Sequence, residues 1–360
     1  AVSSGKLRAT TEIQTANVFI LAVPTPFSND HKPDLSYLKA ATKSIAQVLK
    51  PGNLVILEST SPVGTTEKIS KWLAEIRKDL KFPHEHGEET DIFVAHSPER
   101  VLPGQILLEL TSNDRVVGGL TKRCAEKTAT FYKIAINGRC LLTTARTAEL
   151  VKLAENAFRD VNIAFANELS IIGAQLDINV WEAIDLANRH PRVNILKPGP
   201  GVGGHCIAID PWFIVDSAPE ATTLIQSARK VNNCKTSHII EKIKFSLKGK
   251  SKPTIAFLGL AYKADINDLR ESPAVQISET IALDGTARIL IVEPYIQSLP
   301  DQLAEFNNVS LVDLETAYND ADLIVLLTDH TVFHERPPMP NANQNIIDTR
   351  GIWRQLTCEL

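Results

Sequence analysis

The sequence predicts an α/β chain in three parts: a doubly wound α/β segment, a mainly helical middle, and a second α/β segment. Three observations carry this reading. Short apolar runs closed by polar or proline turns alternate with segments of helical period, first up to about Tyr132 and again from Thr254. The runs are apolar throughout rather than alternating, as expected of strands buried on both faces of a parallel sheet. Between the two α/β parts, Thr147 to Gln175 keeps one helical period with few breakers.

In the first part, Asn17 to Val23 is a strand stopped by Pro24-Thr25-Pro26. Leu35 to Leu49 reads as a helix ending before Pro51-Gly52, and Asn53 to Glu58 as a strand closed by Ser59-Thr60-Ser61-Pro62. Thr65 to Ile76 is helical, Phe82 to Thr90 is a polar loop, and Asp91 to Ala95 is a strand ending at Ser97-Pro98-Glu99-Arg100. Asp114 to Gly119 is a further strand and Cys124 to Tyr132 a helix. After the long middle helix come helices at Val180 to Asn188 and Thr222 to Lys244, then the linker Lys248 to Pro253. The last part has strands at 254–258, 287–292, 323–327 and 345–347, with Ser272-Pro273 as N-cap and N1 of a helix. The expected domains are 1–143, 144–247 and 248–360.

The 360 residues are 44% hydrophobic and 22% charged, the composition of an ordinary globular chain. A net charge of −4 without a basic run points away from nucleic acid. No apolar stretch reaches the ~18 residues that span a bilayer, and Ala1 to Thr11 has no signal-peptide core. The cysteines at 124, 140, 206, 234 and 358 have no paired spacing, which predicts reduced thiols and a cytoplasmic setting. His84-Glu85-His86 lacks a third ligand at metal spacing and reads as solvated loop, so no metal is expected.

The densest chemistry is Gly199-Pro200-Gly201-Val202-Gly203-Gly204-His205-Cys206, with Asp210 four residues on. A thiol at the end of a loop nearly bare of side chains, beside a carboxylate, suggests covalent catalysis on a phosphorylated substrate. The competing reading is a buried structural cysteine after a glycine turn, which would hold for an arbitrary cysteine. A direct His205–Cys206 hydrolase pair is disfavoured, because adjacent residues on an extended loop point to opposite sides. Lys152, Asn156 and Arg159 fall at i, i+4 and i+7 on one face of the long helix. They suit an oxyanion or an ordered water, and Ala148, Ala154, Ile163 and Ala164 suggest that this helix is packed. Glu99, at the end of a buried strand, is a candidate base or a surface loop residue. His190 and Arg192 offer cations ahead of the glycine loop, or a helix C-terminal charge effect. Asp268 to Ser272 reads as a capping cluster.

Together these stretches resemble the nucleotide-sugar dehydrogenases, the four-electron UDP-glucose and GDP-mannose dehydrogenase family. The resemblance rests on Val23-Pro24-Thr25-Pro26, Glu58 to Gly64, Ser97-Pro98-Glu99-Arg100, the Lys152/Asn156 helix, the Cys206 loop, and Gly259 to Ser272, all in family order. Asn188 to Leu196 and Glu99 to Gly104 look most like the branch acting on UDP-N-acetyl-D-mannosamine, which supplies a uronic acid to enterobacterial common antigen and related surface polysaccharides. The resemblance implies two Rossmann-like domains joined by a helical central domain, NAD as cofactor, a UDP-sugar substrate, and a homodimer formed through the central helix. It implies Cys206 as nucleophile, Lys152 as oxyanion or proton-relay group, Asn156 and Asp210 as water-ordering groups, and Glu99 as base in thioester hydrolysis. Thr25, Thr60 and Arg270 match cofactor contacts. Arg100, Val101, Lys152, Asn156, Arg159, His190, Arg192, Gly203, Tyr262, Lys263 and Arg350 match substrate contacts. The family also begins with a strand, a Gly-x-Gly-x-x-Gly turn and an acidic residue, about 60 residues in two βα units, and none of these precedes Asn17. In the chain as it stands, an apolar sheet edge is therefore expected beside Val18, Ile20 and Ala22, and very weak NAD affinity.

Overall fold

The computed structural model describes residues 3–27, 32–101, 106–204, 206–340 and 344–354. The chain forms two compact units, residues 1–156 with 212–222, and residues 157–211 with 223–360.

The first unit is built on a five-stranded sheet. Its elements are β1 (Val18–Leu21), α1 (Ser36–Ala46), β2 (Leu54–Leu57), α2 (Thr65–Ile76), α3 (Pro83–His86), β3 (Phe93–His96), α4 (Ile106–Ser112), β4 (Arg115–Gly119), α5 (Lys122–Tyr132) and β5 (Cys140–Thr144), followed by the start of α6 (Ala145–Gln175). The strands lie in the order β1-β2-β3-β4-β5. β2 and β3 are buried at every position, as their unbroken apolar runs require. Leu38, Ile45, Ile69 and Leu73 of α1 and α2 pack with Leu21, Leu57 and Val94 on one face. Cys124, Ala125 and Tyr132 of α5 pack with Leu54, Ile56, Phe93 and Val117 on the other. β1 lies at the sheet edge, and Ile20 is 43% exposed there.

Several local readings need correction. Residues 82–90 are not simply a polar loop. Pro83 opens the short α3 at N1, and Gly87–Glu89 adds a 3₁₀ turn. β3 and β4 run antiparallel, whereas the other strand pairs of this sheet are parallel. Gly118 of β4 lets the start of α6 pack closely: a Cβ there would stand 2.6 Å from the Ala148 Cβ. β5 escapes a burial pattern because it is a half-exposed edge strand. Ala154 is exposed rather than packed, although Ala148 and Ala164 are buried.

In the second unit, the later turns of α6 are joined by α7 (Val180–Ala187), the start of α8 (Asp210–Ser217) and α9 (Thr223–Ser246). A second sheet follows, from β6 (Thr254–Leu258), α10 (Pro273–Leu283), β7 (Arg288–Val292), α11 (Asp301–Ala304), β8 (Val309–Leu311), α12 (Leu314–Asp320), β9 (Leu323–Leu326), α13 (Thr331–Glu335) and β10 (Asn345–Asp348). Its order is β10-β9-β6-β7-β8, parallel throughout, so the winding direction reverses between β6 and β9. Ser272 caps α10 through Ala274 N, with Pro273 at N1, as read from the sequence. β8 and helices α8, α11, α12 and α13 are too short to show a period and were not foreseen.

Candidate functional site

In the first unit the polar residues gather where parallel strands end. Thr25 Oγ1 donates to Thr60 O at 2.6 Å, and Ser59 Oγ donates to Val23 O at 2.6 Å while accepting from Val23 N at 2.8 Å. The loops after β1 and β2 are thus stitched together, with Thr25 and Thr60 in contact. Beyond β3, Glu99 does not stand as a lone carboxylate. Its Oε2 lies 3.2 Å from Arg115 Nη2, and its Oε1 accepts from Arg100 N at 2.6 Å. Arg115 is nearly buried, also pairs with Glu58 at 3.3 Å, and stacks over the Tyr132 ring at 4.4 Å. Burial pushes the Tyr132 phenol up, so it stays a donor to Glu58 Oε1. Arg115, Glu58 and Tyr132 were missed in the sequence; only Glu58, at a strand's carboxyl end, carried a signal. Arg100 turns to α6 and pairs with Glu155 at 2.5 Å. Lys152 and Asn156 are half-buried on α6, Arg159 is exposed, and Val101 is half-buried.

The rest of the candidate residues lie in the second unit. Cys206 is exposed and opens the turn into α8, its carbonyl accepting from the buried Asp210 at 2.9 Å. His205 lies outside the described residues, as do Leu102 to Gln105 and Cys358. Gly203 and Gly204 are needed for close approach. A Cβ on Gly203 would sit 2.9 Å from Tyr262 Cβ, and one on Gly204 would sit 2.7 Å from the Tyr262 ring, at a φ of +83°. Arg350, paired with Asp329 at 2.7 Å, fills the space a Gly199 side chain would need. Burial first, then Asp268 and Cys206, push the Tyr262 phenol above its usual range. Arg270 is exposed and held by Asp268 at 2.6 Å; Lys263, His190 and Arg192 are exposed, with Arg192 N donating to His190 Nδ1 at 3.3 Å.

The loop carrying Tyr262 and Lys263 has a buried support that sequence reasoning did not find. Glu293 Oε2 accepts from Leu260 N at 2.6 Å and Ala261 N at 3.0 Å, and lies 3.0 Å from His330 Nε2. Asp265 N donates to His330 Nδ1 at 2.9 Å, which leaves the ring proton on Nε2, facing Glu293. The hexad 199–204 also has Gly-x-Gly-x-x-Gly spacing. It follows an irregular segment rather than a strand, so it is not a dinucleotide turn.

The residues present fit part of a dinucleotide. Thr25 and Thr60, at the ends of adjacent parallel strands, stand where such sheets take ligands. The α2 N-terminus does not fit a pyrophosphate. Its Gly64 and Thr66 amides already donate to the buried Glu149 at 2.6 and 2.7 Å.

Comparison with known proteins follows the same division. Models of the UDP-glucose/GDP-mannose dehydrogenase family match the chain as NAD binding domain over residues 1–136, central domain over 146–234 and UDP binding domain over 256–355. An NDP-N-acetyl-D-galactosaminuronic acid dehydrogenase of Ralstonia solanacearum is 56% identical over 353 residues, 98% of this chain and 83% of that protein. A UDP-N-acetyl-D-mannosamine dehydrogenase of Campylobacter jejuni is 57% identical over 335 residues, covering 93% and 82%. The solved UDP-D-ManNAc dehydrogenase of Pyrococcus horikoshii superposes with a TM-score of 0.84 at 40% identity, covering 98% of this chain and 82% of that one.

His96, the last residue of β3, generates a pH prediction. It is wholly buried, and among the described residues neither ring nitrogen has a hydrogen-bond partner. Burial holds its pKa down at about 4 from 6.5, with a small opposing pull from the Leu57 backbone. The unfolded chain therefore binds a proton between those values and the folded chain does not. Stability from this group is present above about pH 6.5 and is lost as pH falls to about 4, by up to about 3 kcal/mol. Urea unfolding from pH 7 to 4 should show that loss, and His96→Leu should flatten it. An unchanged slope in His96→Leu would assign the acid sensitivity elsewhere.

Proposed function

The chain belongs to the UDP-glucose/GDP-mannose dehydrogenase family, and we propose that it oxidises the C6 hydroxyl of UDP-N-acetyl-D-mannosamine to the carboxylate. The observation that carries the covalent step is Cys206, an exposed thiol that follows a glycine loop packed closely against Tyr262. NAD would supply the hydride acceptor, one molecule for each of the two oxidations. Between them, Cys206 Sγ adds to the C6 aldehyde and the new oxyanion takes a proton, giving a thiohemiacetal. Loss of the second hydride from C6 together with the hydroxyl proton would leave a thioester, and water would then break the C–S bond to give the carboxylate and the thiol. This retention of the aldehyde on sulfur explains how two oxidations occur without release.

On this reading Lys152 stabilises each oxyanion and relays a proton, and Asn156 and Asp210 order the water. Glu99 takes the water proton, its carboxylate kept oriented by Arg115. Thr25, Thr60 and Arg270 bind the cofactor. Arg100, Val101, Arg159, His190, Arg192, Gly203, Tyr262, Lys263 and Arg350 bind the nucleotide sugar, together with Lys152 and Asn156. The galactosaminuronic acid relative makes the galacto-configured sugar the second substrate reading. The four described cysteines are unbridged, consistent with a reducing cytoplasm, and the uronic acid product suits surface polysaccharide synthesis.

A homodimer through α6 is supported by its unpartnered apolar stripe. Phe158, Phe165 and Ile172 recur every seven residues and are 72%, 50% and 43% exposed. Phe158→Glu with Phe165→Glu should shift the protein to a monomer in light scattering after size exclusion. A wild-type monomer would refute the dimer.

The activity itself is tested by NADH absorbance at 340 nm with a panel of UDP-sugars, using the protein as it occurs in the cell. UDP-N-acetyl-D-mannosamine should give two NADH per sugar, and Cys206→Ala should abolish complete turnover. Two NADH per sugar from Cys206→Ala would remove the thiol from the mechanism, and preference for the galacto sugar would select the second reading.

A further inference from the structure

The glycine loop that carries Cys206 is held from behind by a buried polar chain on α6 and α9. Asp160 is fully buried and accepts from Arg229 Nη1 at 2.7 Å and from Asn232 Nδ2 at 2.7 Å, both on Oδ1. Asn232 Nδ2 also reaches the Asp160 carbonyl at 3.0 Å. Asn167, two helical turns beyond Asp160, donates from Nδ2 to Asn232 Oδ1 at 2.9 Å. Its own Oδ1 accepts from Gly199 N at 2.9 Å. Asn167 and Asn232 are 0% and 1% exposed, so no solvent competes for these bonds. One residue further along the loop, Pro200 O accepts from Thr236 Oγ1 of α9 at 3.1 Å.

The chain has a direction. An amide side chain can be turned end for end, so its orientation is fixed only by its partners. Here the Asp160 carboxylate and carbonyl can only accept, and the Gly199 N–H can only donate. Two amides in series between such ends have one self-consistent arrangement, in which each Nδ2 faces Asp160 and each Oδ1 faces Gly199. Arg229 keeps Asp160 in its accepting form, against burial that pushes the carboxyl up. The network is also not arranged for stability alone. Among the described residues Asp160 Oδ2 and Arg229 Nε are buried without partners, a cost an apolar replacement would avoid.

We propose that the Asp160–Asn232–Asn167 chain is a positioning device for the nucleophile. Its end-to-end polarity presents one acceptor to Gly199 N and so fixes the stance of the backbone leading to Cys206. Asn167, Asn232 and Asp160 act through the loop, without touching the sugar. The proposal rests on Cys206 being the nucleophile, and the test separates the two.

The first measurement needs no turnover. The rate at which iodoacetamide alkylates Cys206 is followed by peptide mapping, with exposed Cys234 as internal reference. Asn167→Leu keeps the volume and removes both bonds; Asn232→Leu keeps the volume and removes the link between Asn167 and Asp160. Either variant should change the Cys206 rate relative to Cys234 by at least about threefold. In turnover, either should lower kcat about tenfold or more with the KM for NAD unchanged. Asn162→Ala, on the same helix with its amide bonded to Phe158 O instead, should change neither. Unchanged alkylation and kcat in both variants, with only a lowered melting temperature, would overturn the proposal and leave the network structural. If Asn167→Leu does not fold, Asn232→Leu decides alone. An altered Cys206 rate in a protein that oxidises no nucleotide sugar would support the positioning chain while the proposed function fails.

Discussion

A loop stripped of side chains so that it can pack against Tyr262, Pro273 and Arg350 cannot hold its own shape. That constraint organises the second unit of this chain. From Ile195 to Gly204 the backbone is fixed by groups borrowed from elsewhere. Asn188 clamps Ile195 through both its N–H and its C=O, at 2.7 and 2.9 Å. Asn167 takes Gly199 N, Thr236 takes Pro200 O, and Arg270 O accepts from Gly204 N at 3.2 Å. Glycine leaves unfolded-state entropy to be overcome, and these backbone contacts supply the order that side chains would otherwise give.

The first unit solves a related problem at its strand ends. Polar loops there must face a ligand, yet their backbone groups still need partners. Ser59 and Thr25 tie the β1 and β2 loops to each other, and Glu149 takes the place of a helix cap for α2, whose Gly64 has no side chain to offer. Arg115 joins Glu58 to Glu99, so one nearly buried guanidinium pairs with both carboxylates.

Much of this was legible in the sequence, and the reason is physical. Buried parallel strands such as Leu54–Leu57 and Thr254–Leu258 write themselves as unbroken apolar runs. Ser272-Pro273 and the glycines before Cys206 carry local backbone rules in their identities. The supports were not legible. Asn167, Asn232, Asp160 and Arg229 look like polar positions on amphipathic helices, and only the packing of α6 with α9 reveals that they meet. Glu293 and His330 are 37 residues apart in sequence and meet only because β7 and β9 flank β6. The antiparallel β3–β4 pair was hidden for the same reason: pairing direction is a long-range property that no local pattern records.

The central claim is that Cys206 carries the substrate between two oxidations. Acid quenching during turnover with UDP-N-acetyl-D-mannosamine and NAD, followed by intact-mass and peptide analysis, tests it most directly. The account predicts an acyl adduct of the nucleotide sugar on the peptide holding Cys206, lost on hydroxylamine treatment as a thioester is. Steady production of the carboxylate with no adduct on that peptide, or with the adduct on another residue, would contradict it.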